Sequence, residues 1–430
     1  MHITPRMGFT PMQSPTASAL FLLTSALPSI AAYTRNDTVA TARNASGKLV
    51  MLAANTPRFD HDVSGNKLGL LVEGSRTNKI TIYNASPTTT TGITAASGTA
   101  TISIVTDATA LAAAGLDQIG NGNVIKIDNS GQGTNCDIDF AGATGNVNPH
   151  SFSVWARETQ GAVTRLKRSG TGANTVTIAG SSYARYKLEN ETPNATTNTL
   201  RIQVNAGGIV YCLLPQVEEA AFCSSEIVTS GASAIRAADS VNLAITGQSY
   251  FDQTQGFIAV RYRPLVTKKT TDQYIAVLHS GSSSDTIGVR IDASGGALRG
   301  YVRAASANMH TASNSVLHPT GGLAAAGISW KAGTASILHG GASNTQSYAS
   351  NPTGLTTLSI GHRNGAADPL WGYVASVEIG KTYLNLNALA SKMYRTNDVL
   401  VTSGGQSLMG GHFFSQASSS AGGRDKFNAT

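Results

Sequence analysis

From residue 79 to 225, and again from 255 to 394, apolar and β-branched residues recur at every second position, and Gly, Asn and Ser punctuate the runs. Examples in the first stretch are 99–105 (TATISIV), 124–127, 151–156 (SFSVWA), 175–178 and 200–204. The second stretch offers 257–262 (FIAVRY), 274–278, 287–291, 298–302, 323–330 and 335–338. A period of two places alternate side chains on opposite faces of a strand, and turn residues between such runs argue antiparallel pairing. Helical periodicity is nearly absent; the candidates are 108–114 and 385–394. A chain so patterned is expected to be all-β, with two antiparallel β-sandwiches.

Composition narrows the class. Charged residues make up 13% of the 430, about half the usual share of roughly 25%. Ser, Thr, Asn and Ala fill the polar positions, giving a neutral, hydroxyl-rich surface. The formal net charge is +7, and the basic residues are scattered apart from 165–168. Nucleic-acid binding would need a basic stripe, with interleaved aromatics for single strands; none is visible, so no nucleic-acid partner is expected. Three cysteines (Cys136, Cys212, Cys223) with no CxxC spacing argue against a disulfide framework, leaving a Cys212–Cys223 pair as the alternative. Residues 17–32 imitate a signal-peptide core, but the apolar run 19–23 is too short to span a bilayer, so no membrane insertion is expected. The first 30 residues carry Pro5, Pro11, Pro15 and Pro28 and read as an extended N-terminal arm.

Several motifs resemble known families. PRFDHD (57–62), GLLVE (69–73) and RTN (76–78) are similar to a module near the start of tailed-bacteriophage fibre and spike proteins. Gln216, Glu218 and Glu219, then Arg236, Ala237, Ala238 and Asp239, resemble the closing strands of carbohydrate-binding-like jelly rolls in such fibres. LSIGHR (358–363) and LWGYVASVEI (370–379) resemble the last strands of laminin-G or concanavalin-A-like domains. VLVTSGGQSLMG (399–410) resembles the first block of SGNH-type esterases, in which Ser407 would be the nucleophile. These resemblances imply an arm (1–30), a fibre module (31–78), a jelly roll (79–229), a linker (230–250), a concanavalin-A-like sandwich (251–395), and either the start of an esterase-like domain or a flexible tail (396–430).

The chemistry they imply is sparse. A serine needs a positioned base to attack an ester at neutral pH, and the family's DxxH block is missing after Ser407. Leu408 also stands where that family has Asn, and residues 1–430 alone are expected to lack esterase activity. Trp155, Tyr183, Tyr186, Trp330, Trp371 and Tyr373 are the candidates for stacking on sugar rings, with core packing the competing role. No metal-ligand spacing is present and no cofactor is expected; loop Ca²⁺ ligation by Asp285, Asp292 and Asp368 is the alternative.

The implied function is a virion structural protein, a head or tail fibre or spike of a tailed phage. It would be assembled in the host cytoplasm, displayed on the virion surface as a homotrimer, joined to other virion proteins by its arm, and bound to host-surface glycan. The alternatives are a virion-borne carbohydrate O-acetylesterase whose catalytic domain continues past residue 430, and a purely architectural component.

Overall fold

The computed structural model describes residues 18–160, 163–266, 271–293, 295–317, 321–340 and 342–394, with backbone only for 307–317. Nearly all regular structure is antiparallel strand, as the period-two pattern predicts. The first sandwich packs two five-stranded sheets. In one, Ala184–Glu191, His150–Glu158, Ile209–Glu218, Asn123–Asp128 and Thr101–Thr106 lie side by side. In the other the order is Thr175–Ile178, Thr164–Arg168, Leu200–Val204, Cys136–Phe140 and Ile93–Ser97. Alternate residues such as Ile125, Ile127, Ile138, Phe140, Phe152, Val154, Ile202 and Val204 point inward and are fully buried. Burial of one such side chain contributes roughly 1.5–3 kcal/mol. A short helix, Ala108–Ala113, caps one end through Leu111.

The second sandwich has an eight-stranded and a seven-stranded sheet. It is not built from residues 251–395 alone. Ser18–Leu22 pairs with Gly372–Gly380, in register from Ser18 opposite Gly380 to Leu22 opposite Ser376. Phe59–His61 and Lys67–Val72 extend the same sheet beyond Gly372–Gly380. Ala31–Thr34 joins the other sheet through Ser240–Ala244. Three strands of the stretch 31–78, expected as a separate module, are therefore woven into the second sandwich, while Thr41–Arg43 and Leu49–Met51 pair with each other and Leu49 packs against the first sandwich. The reason is apolar: Leu70 and Val72 lie in the same buried cluster as Ile258, Val260, Trp330 and Val377.

Residues 230–250, expected as a linker, hold two strands instead. Ala234–Arg236 pairs with Arg76–Asn78, and Ser240–Ala244 sits inside the seven-stranded sheet. Val241, Leu243 and Ile245 are fully buried there. Their spacing of two is the same signal that marks the longer strands, overlooked in a short Gly/Ala-rich stretch. At the other end the helix Leu386–Met393 starts where the Asn385 side chain accepts from the Ala388 N–H at 2.9 Å, a normal N-cap. Its Leu389 and Met393 close over Phe257 and Ala259.

Candidate functional site

The fibre-like motif residues converge on one buried charge cluster. Arg58 donates to Glu73 Oε2 at 2.7 Å and to Ser225 Oγ at 2.9 Å, and forms a two-pronged contact with the Asp239 carboxylate. Arg236 reaches Glu73 at 2.9 Å, Ser225 Oγ at 2.8 Å and the Gly74 carbonyl at 2.7 Å. The Tyr33 hydroxyl donates to Asp239, and the Glu73 N–H donates to Asp239 Oδ2 at 2.8 Å. Two guanidinium groups thus face two carboxylates, all four side chains essentially out of water. Burial alone would raise the Glu73 carboxyl, but Arg236 and Arg58 outweigh it and hold the group well below the usual carboxylate range.

A second ring of bonds surrounds this cluster. Glu218 accepts from Gln216 at 2.6 Å and from the Ser224 hydroxyl at 2.6 Å. Asn78 and Asn84 both donate to the carbonyls of Pro215 and Ile227, at distances from 3.0 to 3.3 Å. Gly74 is required beside them, because a Cβ there would meet the Trp371 ring at 2.6 Å. Residues from 33 to 239 and from both sandwiches are tied at this point. The motif encodes a clamp, and its charges are consumed internally.

A cleft of about 840 Å³ opens over the clamp, between the two sandwiches. Arg185, Lys187 and Glu189 on the strand Ala184–Glu191 form one wall. Residues 41–43 and 60–63 form another, with Leu265 and Val266 at the rim. Asp60 accepts from the Arg43 N–H at 2.6 Å, the His61 N–H at 3.0 Å and the Tyr373 hydroxyl at 2.9 Å. Burial nevertheless leaves its carboxyl above the ordinary value, against the lowering effect of those bonds. Glu226 is drawn the other way: burial raises it, yet Arg185 at 3.3 Å and Trp155 Nε1 at 2.8 Å bring it below normal. Lys187, Glu189 and Val63 are exposed on the walls. Half-buried Phe222 stacks edge-on against Trp371, with the Arg76 guanidinium 4.8 Å and 4.3 Å from the two ring centres. The cleft therefore offers fixed donors and acceptors of both signs.

The six sugar-stacking candidates do not form one platform. Trp330, Trp371, Tyr373 and Tyr183 are buried core residues. Tyr373 bonds Asp60, and the Tyr183 hydroxyl donates to Asp107 at 2.7 Å. Trp155 and Tyr186 are half-buried, Trp155 engaged by Glu226 and by Arg43 at 5.4 Å from its ring centre, and Tyr186 by the Ala179 carbonyl. Only Tyr373 among the six lines the cleft. Phe222, Arg185, Lys187 and Glu189 were missed by the sequence reading. The alternation of 185, 187 and 189 was the available signal, since it marks an outward face.

Ser407 lies outside the described residues. One serine–histidine contact does occur: His279 Nε2 is 2.8 Å from Ser359 Oγ. It is not a nucleophile–base pair. The Ser359 hydroxyl donates to Asn242 at 2.6 Å, and His279 Nδ1 accepts from the Gly281 N–H at 3.0 Å. Nε2 must then carry the proton and donate to Ser359. Burial, with His362 nearby, brings the His279 pKa down to about 4, so the ring stays neutral. Asp292 and Asp368 pair with Arg299 and Arg363 at 3.0 and 2.9 Å, while Asp285 accepts from the Thr353 N–H at 3.1 Å. Among the described residues no group of three or more His, Cys, Asp or Glu side chains is placed to hold a metal ion. The three cysteines are free thiols.

No protein-family model matches the sequence. No curated protein matches it either. Among solved structures, the Ruminococcus gnavus IT-sialidase CBM40 bound to alpha2,3 sialyllactose is 13% identical, with a TM-score of 0.29 over 33% of this chain and 83% of that one. Domain 4 of AbnA, a GH43 extracellular arabinanase from Geobacillus stearothermophilus in complex with arabinotriose, is 12% identical, with a TM-score of 0.32 over 36% and 73%. The Caenorhabditis elegans galectin LEC-6 is 13% identical, with a TM-score of 0.24 over 32% and 89%.

Proposed function

We propose that this chain is a virion-surface structural protein of a tailed phage and that it binds host-surface polysaccharide in the cleft between its sandwiches. The observation that carries the binding is the cleft: about 840 Å³, open to water and walled by Arg185, Lys187 and Glu189 beside Phe222. Sugars are recognised by fixed polar groups of both signs next to an apolar surface, held on a scaffold that does not need to rearrange. The clamp beneath supplies that rigidity. The virion role is supported by the resemblance of 57–78 and 216–239 to fibre proteins.

A glycan array of bacterial surface polysaccharides, probed with the full chain, tests the binding. At least one polysaccharide is expected to bind, and the double variant Lys187→Ala/Glu189→Ala, altered only at exposed positions, is expected to lose at least tenfold in affinity. A blank array supports the purely architectural reading. Binding that ignores the double variant moves the site out of the cleft.

The arm is tested separately. Because Ser18–Leu22 is a strand of the second sandwich and Leu23 is buried in its core, a clean truncation stops before residue 18. That truncated chain is expected to fold and to fail to join particles; normal incorporation would remove the arm from the reading. Esterase activity on p-nitrophenyl acetate that vanishes in Ser407→Ala would promote the enzyme alternative.

A further inference from the structure

The outer face of the seven-stranded sheet carries a second cluster that the cleft does not involve. Tyr274 on Gln273–His279, Arg290 on Thr286–Ile291 and Tyr301 on Ala297–Ala304 come together, with Arg303 on the last strand and Arg363 just past Thr357–Ile360. The register explains this, since Tyr274 faces Arg290 and Thr286 faces Arg303 across neighbouring strands. The two tyrosine rings meet edge to face at 5.6 Å, and Arg290 lies 5.6 Å and 5.2 Å from their centres. Arg363 lies 5.6 Å from the Tyr274 centre.

These residues enclose a cavity of about 30 Å³. A cavity needs roughly 10–15 Å³ to admit a water, so this one accepts a few oxygen atoms but no sugar ring. Its lining is three guanidinium groups, two phenols and the hydroxyls of Ser283 and Thr286, with no carboxylate. The acidic partners stand outside the lining: Asp272 is 2.8 Å from Arg290 and Asp368 is 2.9 Å from Arg363. Arg303 donates through Nε to the Ser306 carbonyl at 3.0 Å, and no carboxylate among the described residues pairs with it. The floor is also under-satisfied. Tyr301 Oη, Thr286 Oγ1 and Arg290 Nε are buried and make no well-formed hydrogen bond, although Tyr301 is 5% and Thr286 2% exposed. A buried donor without an acceptor costs about 1–3 kcal/mol; the Thr286 hydroxyl lies close enough to interact with that of Tyr301, which leaves the Tyr301 proton and Arg290 Nε as donors for an oxyanion.

We propose that this cavity binds the acidic group, carboxylate or sulfate, of a charged sugar. Guanidinium forks suit planar or tetrahedral oxyanions. The surroundings favour a sugar over an acidic peptide. Ser283 lines the cavity, Ser282, Ser284 and Ser306 are hydrogen-bonded to one another on the adjoining turns, and none of the exposed large apolar side chains lies at these positions, so a peptide would find no apolar anchor there.

Calorimetry on the full chain tests this with three probes: an oligogalacturonide, a sulfated neutral oligosaccharide and an uncharged galacto-oligosaccharide. At least one charged probe is expected to bind ten times or more tightly than the uncharged one. Inorganic sulfate is expected to compete, and which charged probe binds identifies the acidic group. Arg303→Gln is expected to weaken binding at least tenfold, and Thr286→Val, which keeps the side-chain shape, severalfold. The Lys187→Ala/Glu189→Ala variant is expected to leave this binding unchanged, which separates its failure from failure of the cleft. Equal binding of charged and uncharged probes, no binding by either charged probe, or indifference to both Arg303→Gln and Thr286→Val overturns the proposal.

Discussion

Two arginine–aromatic clusters in this chain use the same side chains for opposite ends. At the clamp, Arg58 and Arg236 are fully buried, and Glu73 and Asp239 answer them charge for charge. At the sheet face, Arg303 and Arg363 are half-buried, and the cavity they line holds no carboxylate. The clamp's charges are spent on joining distant segments of chain, 58 to 73 and 239. At the sheet face Asp272 and Asp368 answer Arg290 and Arg363 from outside the cavity, while Arg303 has no carboxylate partner among the described residues. An arginine beside an aromatic ring therefore indicates a scaffold or a ligand site only when its anionic partners are known.

Breaking the clamp should produce the largest effect. Arg58→Ala removes one partner of a buried network, strands Asp239 and leaves Glu73 to Arg236 alone, a change that typically costs about 3–5 kcal/mol. The expected result is a large fall in the thermal midpoint, carried mainly by Asp239, with loss of the coupling between the sandwiches visible as separated transitions. A shift of a degree or two would mean that the clamp's charges are solvated, and the contrast with the sheet face would collapse.

Acid sharpens the same comparison. The Glu73 carboxyl is depressed in the fold, so its contribution is present above the unfolded value of about 4.3 and is lost as pH falls towards the folded value. Asp60 has the opposite sign. Its carboxyl is raised by burial, so its contribution is full below about 3.9 and is lost as pH rises through the folded value. Thermal midpoints measured from pH 7 down to 3 are expected to show a loss below about pH 4.3 that Glu73→Gln makes shallower, the remainder coming from other depressed carboxyls such as Glu226. Asp60→Asn is expected to be neutral or slightly stabilising at pH 7. A Glu73→Gln profile parallel to that of the unaltered chain would contradict the charge assignment at the clamp.

The strands were legible because burial on one face imposes a period of two, and that period survives in isolation. Residues 175–178 and 200–204 match their strands residue for residue. What sheet a strand joins leaves no such trace. Leu70 and Val72 alternate properly, yet nothing local says that their partner is Gly372–Gly380, some 300 residues away. The same limit hid the site. Alternation showed that Trp330 takes one face of its strand, but not that this face would be covered, and Trp371 sits at a bend before its strand, where alternation does not apply. Arg58, Glu73, Arg236 and Asp239 were visible through resemblance, but their joint role needed three dimensions. Phe222 and Arg185 carried no motif at all.

The smallest expected effect is on stability at the sheet face. Among the described residues Arg303 makes one hydrogen bond, to a carbonyl on an exposed turn. Such a contact is worth about 0.5–1.5 kcal/mol at most, and exposed charged contacts are commonly worth about 0–1 kcal/mol. Removing Arg303 also relieves repulsion among guanidinium groups that line one cavity, which offsets part of that loss. Arg303→Gln, which retains an amide donor, is therefore expected to leave the thermal midpoint within about one degree of the unaltered chain in the absence of ligand. With a charged oligosaccharide present the two should separate, since a ligand stabilises the fold by RT ln(1 + [L]/Kd) and the variant binds at least tenfold more weakly. A ligand-independent loss comparable to that of Arg58→Ala would show that this arginine belongs to a scaffold as well, and the distinction between the two clusters would no longer hold.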